Sequence, residues 1–141
     1  MSALFDTSVL IAALTSGHPE HSAARARVLQ VQRNDQAFIS GHTLAELYAV
    51  LSGVAKWRIR PQQALRSVEM VSQPFTVLPL SPEDHLWCLR HMATLGLSGG
   101  GIYDCLHARA ALNAKVERLY TLNEKRFRRL GSEIAALVEH P

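Results

Sequence analysis

The stretch Ala3-Leu4-Phe5-Asp6-Thr7-Ser8-Val9-Leu10 decides how the rest of the chain is read. Three apolar residues run into one acid, and a helix-like segment follows to Leu14. This reads as a short strand, Ala3–Phe5, that hands over to a helix, Thr7–Leu14, with Asp6 at the junction. The same alternation continues downstream. Further strands are predicted at Ala37–Ile39, Phe75–Leu80 and Arg118–Leu122, with a short last candidate at Ala135–Val138. Helices are predicted at Pro19–Arg33, Thr43–Val54, Pro61–Val71, Ser81–Leu95, Ile102–Ala114 and Glu124–Leu130, with a break at Gly99-Gly100-Gly101. Strands separated by helices imply a parallel sheet covered by helices. In open sheets of that kind the functional crevice lies at the carboxyl ends of the strands. Asp6 and Asn123 both fall just after a predicted strand.

The 141 residues are 48% hydrophobic and 19% charged. That length suits one domain, residues 1–141, large enough to bury a core. Such a composition excludes a disordered or collagen-like chain. No uncharged apolar run approaches the ~20 residues that span a bilayer. No Lys or Arg precedes the first apolar run and Asp6 interrupts it, so no secretory leader is expected. Two cysteines, Cys88 and Cys105, make no disulfide framework. They are expected as buried thiols in a cytoplasmic protein. His85, Cys88 and His91 are spaced by three on a predicted helix. Steps of three turn about 300°, so the outer two point roughly 120° apart and do not converge on one zinc ion.

Three acids stand alone. Asp6 is the only Asp, Glu, Lys or Arg between Met1 and Pro19. Glu46 is the only one between Gln36 and Ala55, and Asp104 the only one between Met92 and Ala108. The helix around Glu46 is apolar nearly all round, with Leu44, Leu47, Tyr48 and Leu51 on one face and Ala45, Ala49, Val50 and Gly53 opposite. That pattern predicts a buried helix. A carboxylate there must be paired, protonated or bound to a metal. Each acid also has a structural reading. Thr43-x-x-Glu46 fits a capping box, and Asp6 and Asp104 each suit a helix start. Taken together, three apolar segments each supply one acid. Acids brought together repel, and a hard divalent cation such as Mg²⁺ or Mn²⁺ resolves the repulsion. Such a cation holds phosphate oxygens and lowers the pKa of water, which suits phosphate-ester hydrolysis.

Four segments carry a resemblance: Phe5-Asp6-Thr7-Ser8-Val9-Leu10, Leu44-Ala45-Glu46-Leu47, Gly101-Ile102-Tyr103-Asp104-Cys105-Leu106 and Tyr120-Thr121-Leu122-Asn123. In this order they resemble the PIN-domain nucleases, and above all the VapC-type ribonuclease toxins of VapBC toxin–antitoxin modules. The resemblance runs from about Ala3 to Gly131. It implies an α/β, PIN-like three-layer domain with a small central parallel sheet between helices. It also implies a Mg²⁺- or Mn²⁺-dependent endoribonuclease that cuts structured RNA and leaves 5′-phosphate ends. Asp6, Glu46 and Asp104 are then the acidic metal-binding set, and Thr7 or Ser8 orients a ligand or phosphate. The fourth position is often an aspartate in that family and is Asn123 here. An amide oxygen can position water or a metal without charge, and Asn123 or Thr121 also suits a cap for the next helix. A homodimer and a VapB-type antitoxin are further implications.

Two clusters mix bases with aromatics: Lys56-Trp57-Arg58-Ile59-Arg60 and Lys125-Arg126-Phe127-Arg128-Arg129. Lys56, Arg58, Arg60, Lys125, Arg126 and Arg128 are candidate phosphate contacts of RNA. Trp57 and Phe127 read either as base-stacking residues or as core. Alternatives to a toxin are an RNA-processing PIN nuclease and a catalytically silent RNA- or partner-binding domain. An acid phosphatase-like enzyme would want a second Asp at position 8, which is Ser8. The formal charge is +3. Setting the three isolated acids aside leaves nine acids against 15 bases, a net of +6 on the rest.

Overall fold

Ala3, Leu4 and Phe5 are all fully buried. Side chains alternate across a strand. Ala3 and Phe5 accordingly enter one apolar layer and Leu4 the other. Burial on both faces explains why this strand reads as a continuous apolar run. The structure is a computed structural model that describes residues 1–34 and 36–141.

Five parallel strands form one sheet: β1 (Ala3–Phe5), β2 (Ala37–Ser40), β3 (Thr76–Leu78), β4 (Arg118–Tyr120) and β5 (Val138–Glu139). Their order is β3-β2-β1-β4-β5. The described helices are α1 (Thr7–Leu14), α2 (His21–Gln32), α3 (Gly41–Gly53), α4 (Pro61–Ser72), α5 (Pro82–Thr94), α6 (Gly101–Ala114), α7 (Glu124–Arg128) and α8 (Ser132–Ala135). Helices α1 to α4 pack on the Phe5 side and α5 to α8 on the Leu4 side. The three layers are therefore helices, sheet and helices. The chain leaves β1 toward β2 and later returns to the other side of β1 as β4. The order of the strands reverses there, and such a switch point opens a crevice at the strand ends.

Local chemistry explains most boundaries. Asp6 caps α1, its carboxylate accepting the Val9 N–H at 3.4 Å. Ser81 caps α5 and accepts the Asp84 N–H at 3.1 Å, while Asp84 accepts the Ser81 N–H. That reciprocal pair is a capping box. β3 is shorter than Phe75–Leu80, because Pro74 and Pro79 bracket it and proline cannot join a ladder. Ala135 belongs to α8 rather than to the last strand, which begins at Val138. Gly101 opens α6 under a crowded approach, since a Cβ there would stand 2.6 Å from an Arg129 guanidinium nitrogen.

The expectation of a buried α3 is overturned. The helix around Glu46 is not buried all round: Leu47 and Leu51 are buried, but Ala45, Tyr48 and Ala49 are exposed. Small alanines make an outer face look apolar without requiring it to be covered. The cysteines are buried as expected, and the Cys88 thiol donates to the Cys105 carbonyl. His85 bonds the Ser81 carbonyl and His91 the Leu130 carbonyl, so the three-spaced residues face separate partners. Among the described residues, no helix is long and apolar enough to cross a membrane.

Candidate active site

The end of β1 and the end of β4 are tied together. The Asp6 N–H donates to the Tyr120 carbonyl at 3.1 Å. The Thr121 hydroxyl donates to Asp6 Oδ2 at 2.8 Å, and the Ser8 hydroxyl to Asp6 Oδ1 at 2.5 Å. Ser8 also accepts the Leu122 N–H at 3.1 Å. These bonds fix Asp6 at the switch point, in a cleft of about 600 Å³. Glu46, Asp104, Asn123 and Arg126 line the same cleft. The four residues predicted from separate segments are thus brought together by one sheet edge and two helices.

Each carboxylate has its own environment. Asp6 is 4% exposed, and burial raises its pKa above the usual carboxylate range even against three hydrogen bonds. Asp104, in the first turn of α6, is raised by burial too, with the nearby Arg126 charge offsetting part of that. Arg126 Nε stands 2.9 Å from Asp104 Oδ2. Its N–H is not aligned on that oxygen, so Oδ2 is buried with no hydrogen bond among the described residues. Oδ2 is thus ion-paired but has no aligned donor, which leaves it room to accept a further donor or a cation. Glu46 differs. Burial would raise it, but His107 and the Thr7 hydroxyl outweigh that and its carboxyl lies below the usual range. It therefore accepts hydrogen bonds as a carboxylate near neutral pH.

His107 is the residue that the sequence analysis missed. It is buried on α6, with Nε2 2.6 Å from Glu46 Oε1 and Nδ1 2.8 Å from Ser40 Oγ. A carboxylate only accepts, so Nε2–H donates to Glu46. The signal was present in the spacing: His107 follows Asp104 by three, which places both on one helical face. Thr7 and Ser8 also take a sharper part. Both hydroxyls donate to carboxylates, Thr7 to Glu46 at 2.8 Å and Ser8 to Asp6, so they orient the acids. Thr43-x-x-Glu46 is no capping box, because α3 begins at Gly41 with Ser40 before it. Asn123 makes no side-chain cap to α7, and its side chain lines the cleft.

The basic clusters separate. Arg126 reaches the site, and Lys125 lies beside it in the groove with Asn123. Arg128 is instead committed to the fold, binding Glu124 and the carbonyls of Ala135 and Val138. Lys56, Arg58 and Arg60 are exposed around the turn Ala55–Trp57 and do not line the cleft. Phe127 is fully buried and offers no ring face, while Trp57 is half-buried against the core away from the cleft.

Among the described residues no three His, Cys, Asp or Glu side chains close into a ready metal cage. Mg²⁺ does not need one, since it takes one or two carboxylates and keeps waters and phosphate oxygens. The orphaned Asp104 Oδ2 and the oxygen-only acids fit a hard divalent cation.

Similarity to known proteins gives this fold its class. The PIN domain family model matches residues 3–133, and the chain belongs to the PIN domain family. Within that class it is similar to ribonuclease VapC27 of Mycobacterium tuberculosis (strain ATCC 25618 / H37Rv). The two are 34% identical over 114 residues, 79% of this chain and 78% of that protein. VapBC2 of Rickettsia felis, solved bound to a DNA fragment from its promoter, shares the fold. It has a TM-score of 0.72 and 21% identity, over 99% of this chain and 98% of that one. A toxin–antitoxin complex from Klebsiella pneumoniae is 28% identical with a TM-score of 0.60, over 89% of this chain and 90% of that one. The PIN-like three-layer fold is therefore as the sequence led us to expect.

Proposed function

We propose that the chain is a Mg²⁺- or Mn²⁺-dependent endoribonuclease, the toxin of a type II toxin–antitoxin pair. The observation that carries this reading is the convergence of Asp6, Glu46, Asp104 and Asn123 on one cleft beside Arg126. The similarity to a protein named a ribonuclease supports RNA as the substrate. The toxin–antitoxin assemblies among the structural relatives support a VapB-type partner.

Asp6 and Asp104 are the proposed metal ligands, with Glu46 acting beside them. When bound, the cation supplies Lewis acidity to the scissile phosphate and makes water more acidic. The chain's own residues do the rest. Ser8, Thr121 and the Val9 N–H hold Asp6 so that its oxygens face the cleft in one orientation. His107 and Thr7 do the same for Glu46 and keep it ionised, which suits it to accept a proton from attacking water. Arg126 and Lys125 bind the phosphates on either side of the cut. The Asn123 amide positions water or phosphate oxygen by hydrogen bonding, without adding charge that would repel RNA.

The reading includes a homodimer and a cytoplasmic location. The test of the biological role is expression in a host cell. Induction arrests growth, an Asp104→Asn variant does not, and co-expression of the cognate antitoxin restores growth. Arrest by the variant as strong as by the unaltered chain would remove the toxin reading.

A further inference from the structure

Tyr103 precedes Asp104 on α6 and is 51% exposed at the mouth of the cleft. Its ring lies flat on His42 of α3, with centroids 5.0 Å apart and planes 5° apart. His42 is itself braced. It sits against His107 at 5.6 Å and 3.8 Å from Glu46 Oε1. The Tyr103 ring is thus oriented from behind by a second helix. An aromatic residue at an exposed position keeps apolar area in water at a cost, roughly 25 cal/mol per Å². One face of the ring is held against His42, and the ring stays half exposed where the cleft opens.

A shallow groove of about 280 Å³ opens beside it, lined by His42, Ala45, Glu46, Ala49 and Tyr103. Ala45 and Ala49 are one turn apart on α3, so small side chains make a flat apolar floor. Tyr103 and Glu46 line the groove and the acidic cleft alike, so the two are continuous. This is the outer face of α3 that the sequence pattern had suggested was buried.

We infer that this groove is a nucleobase subsite, in which one unpaired base of the RNA stacks on Tyr103 while a neighbouring phosphate enters the cleft. The inference rests on the ribonuclease reading and adds the form of the substrate. Continuity with the cleft favours RNA, because Tyr103 lines both the groove and the cleft in which Asp104 and Arg126 would take a phosphate. Stacking on an aromatic face tolerates every base but needs that base unpaired. The subsite therefore selects a loop or single strand and not a base identity.

The test uses the whole protein with Mn²⁺, and the Tyr103→Ala, Tyr103→Phe and Ala49→Leu variants. The substrates are a single-stranded RNA, the same RNA fully paired, and one labelled with 2-aminopurine near the cut. Tyr103→Ala raises KM for the single strand about tenfold or more, the size of one base–aromatic stack. Its kcat falls less than about threefold, because the residue binds substrate in ground and transition states alike. Tyr103→Phe keeps the ring and the unaltered KM. Ala49→Leu fills the groove and raises KM. Binding quenches 2-aminopurine in the unaltered protein and in Tyr103→Phe, and not in Tyr103→Ala. Unchanged KM and quenching in Tyr103→Ala overturn the subsite. So does a variant whose only loss is in binding a protein partner or a second copy, which makes the groove a protein interface. If the unaltered protein cuts no RNA, the ribonuclease reading fails on its own, and the quenching of bound RNA still decides the subsite.

Discussion

His107 Nε2 and Glu46 Oε1 stand 2.6 Å apart, joining α6 to α3 across the floor of the cleft. The bond holds Glu46 ionised below the usual carboxylate range while its Asp neighbours are pushed up by burial. Replacing His107 by Ala removes that support. The Glu46 pKa rises, and the acid limb of the cleavage rate moves to higher pH. Loss of an orienting partner of this kind typically costs 10–100-fold, and about that is expected in kcat. A pH–rate profile checks both effects.

Asp104 illustrates a site maintained against stability. Burial raises its folded-state pKa, so its ionised form is disfavoured by folding. The penalty is present at neutral pH and is relieved as pH falls through the folded pKa. Asp104→Asn should therefore raise the metal-free melting midpoint near pH 7, at about 4 °C per kcal/mol for a chain of this size. The gain should shrink in acid. Mg²⁺ should stabilise the unaltered protein and not the variant, a comparison that thermal denaturation makes directly.

Asp84 has the opposite sign and lies away from the cleft. It accepts the Ser81 N–H and bonds Asn113 and Arg109, which hold its carboxyl well below the usual range. A depressed pKa contributes stability above the unfolded value of about 3.9 and loses it as pH falls. Asp84→Asn should lower the midpoint at pH 7, and the gap to the unaltered protein should close below about pH 4. Cleavage should persist at temperatures where the variant stays folded.

Arg126 is placed to act on two ligands in opposite directions. Its guanidinium, 2.9 Å from Asp104, supplies the positive charge beside that acid. Arg126→Gln should tighten Mg²⁺ binding, because a like charge leaves the site. It should also weaken RNA binding and reduce the salt slope by about one. Calorimetry with metal alone and salt titration of RNA binding measure the two separately.

The convergence of Asp6, Glu46 and Asp104 was legible because each is an isolated charge in an apolar segment, although only Asp6 and Asp104 are buried and Glu46 is partly exposed. The parallel sheet was legible from short apolar runs alternating with longer periodic ones. The partners of those acids were not. His107 looks like any core histidine until Asp104 is known to face the same way. Thr121 reads as a helix cap, yet its hydroxyl serves Asp6. The Arg126–Asp104 pair joins two elements with no local pattern to announce it. α3 misled because alanine fits both a core and a small-residue groove, and only packing tells which.

Metal-dependent cleavage of RNA at the Asp6–Asp104 cleft is decided by incubating the purified chain and its Asp104→Asn variant with single-stranded RNA in Mg²⁺, Mn²⁺ or EDTA. The unaltered chain should cut with either metal and not in EDTA, and the folded variant should not cut under any condition. Cleavage by Asp104→Asn at the unaltered rate, or undiminished cleavage in EDTA, would contradict it.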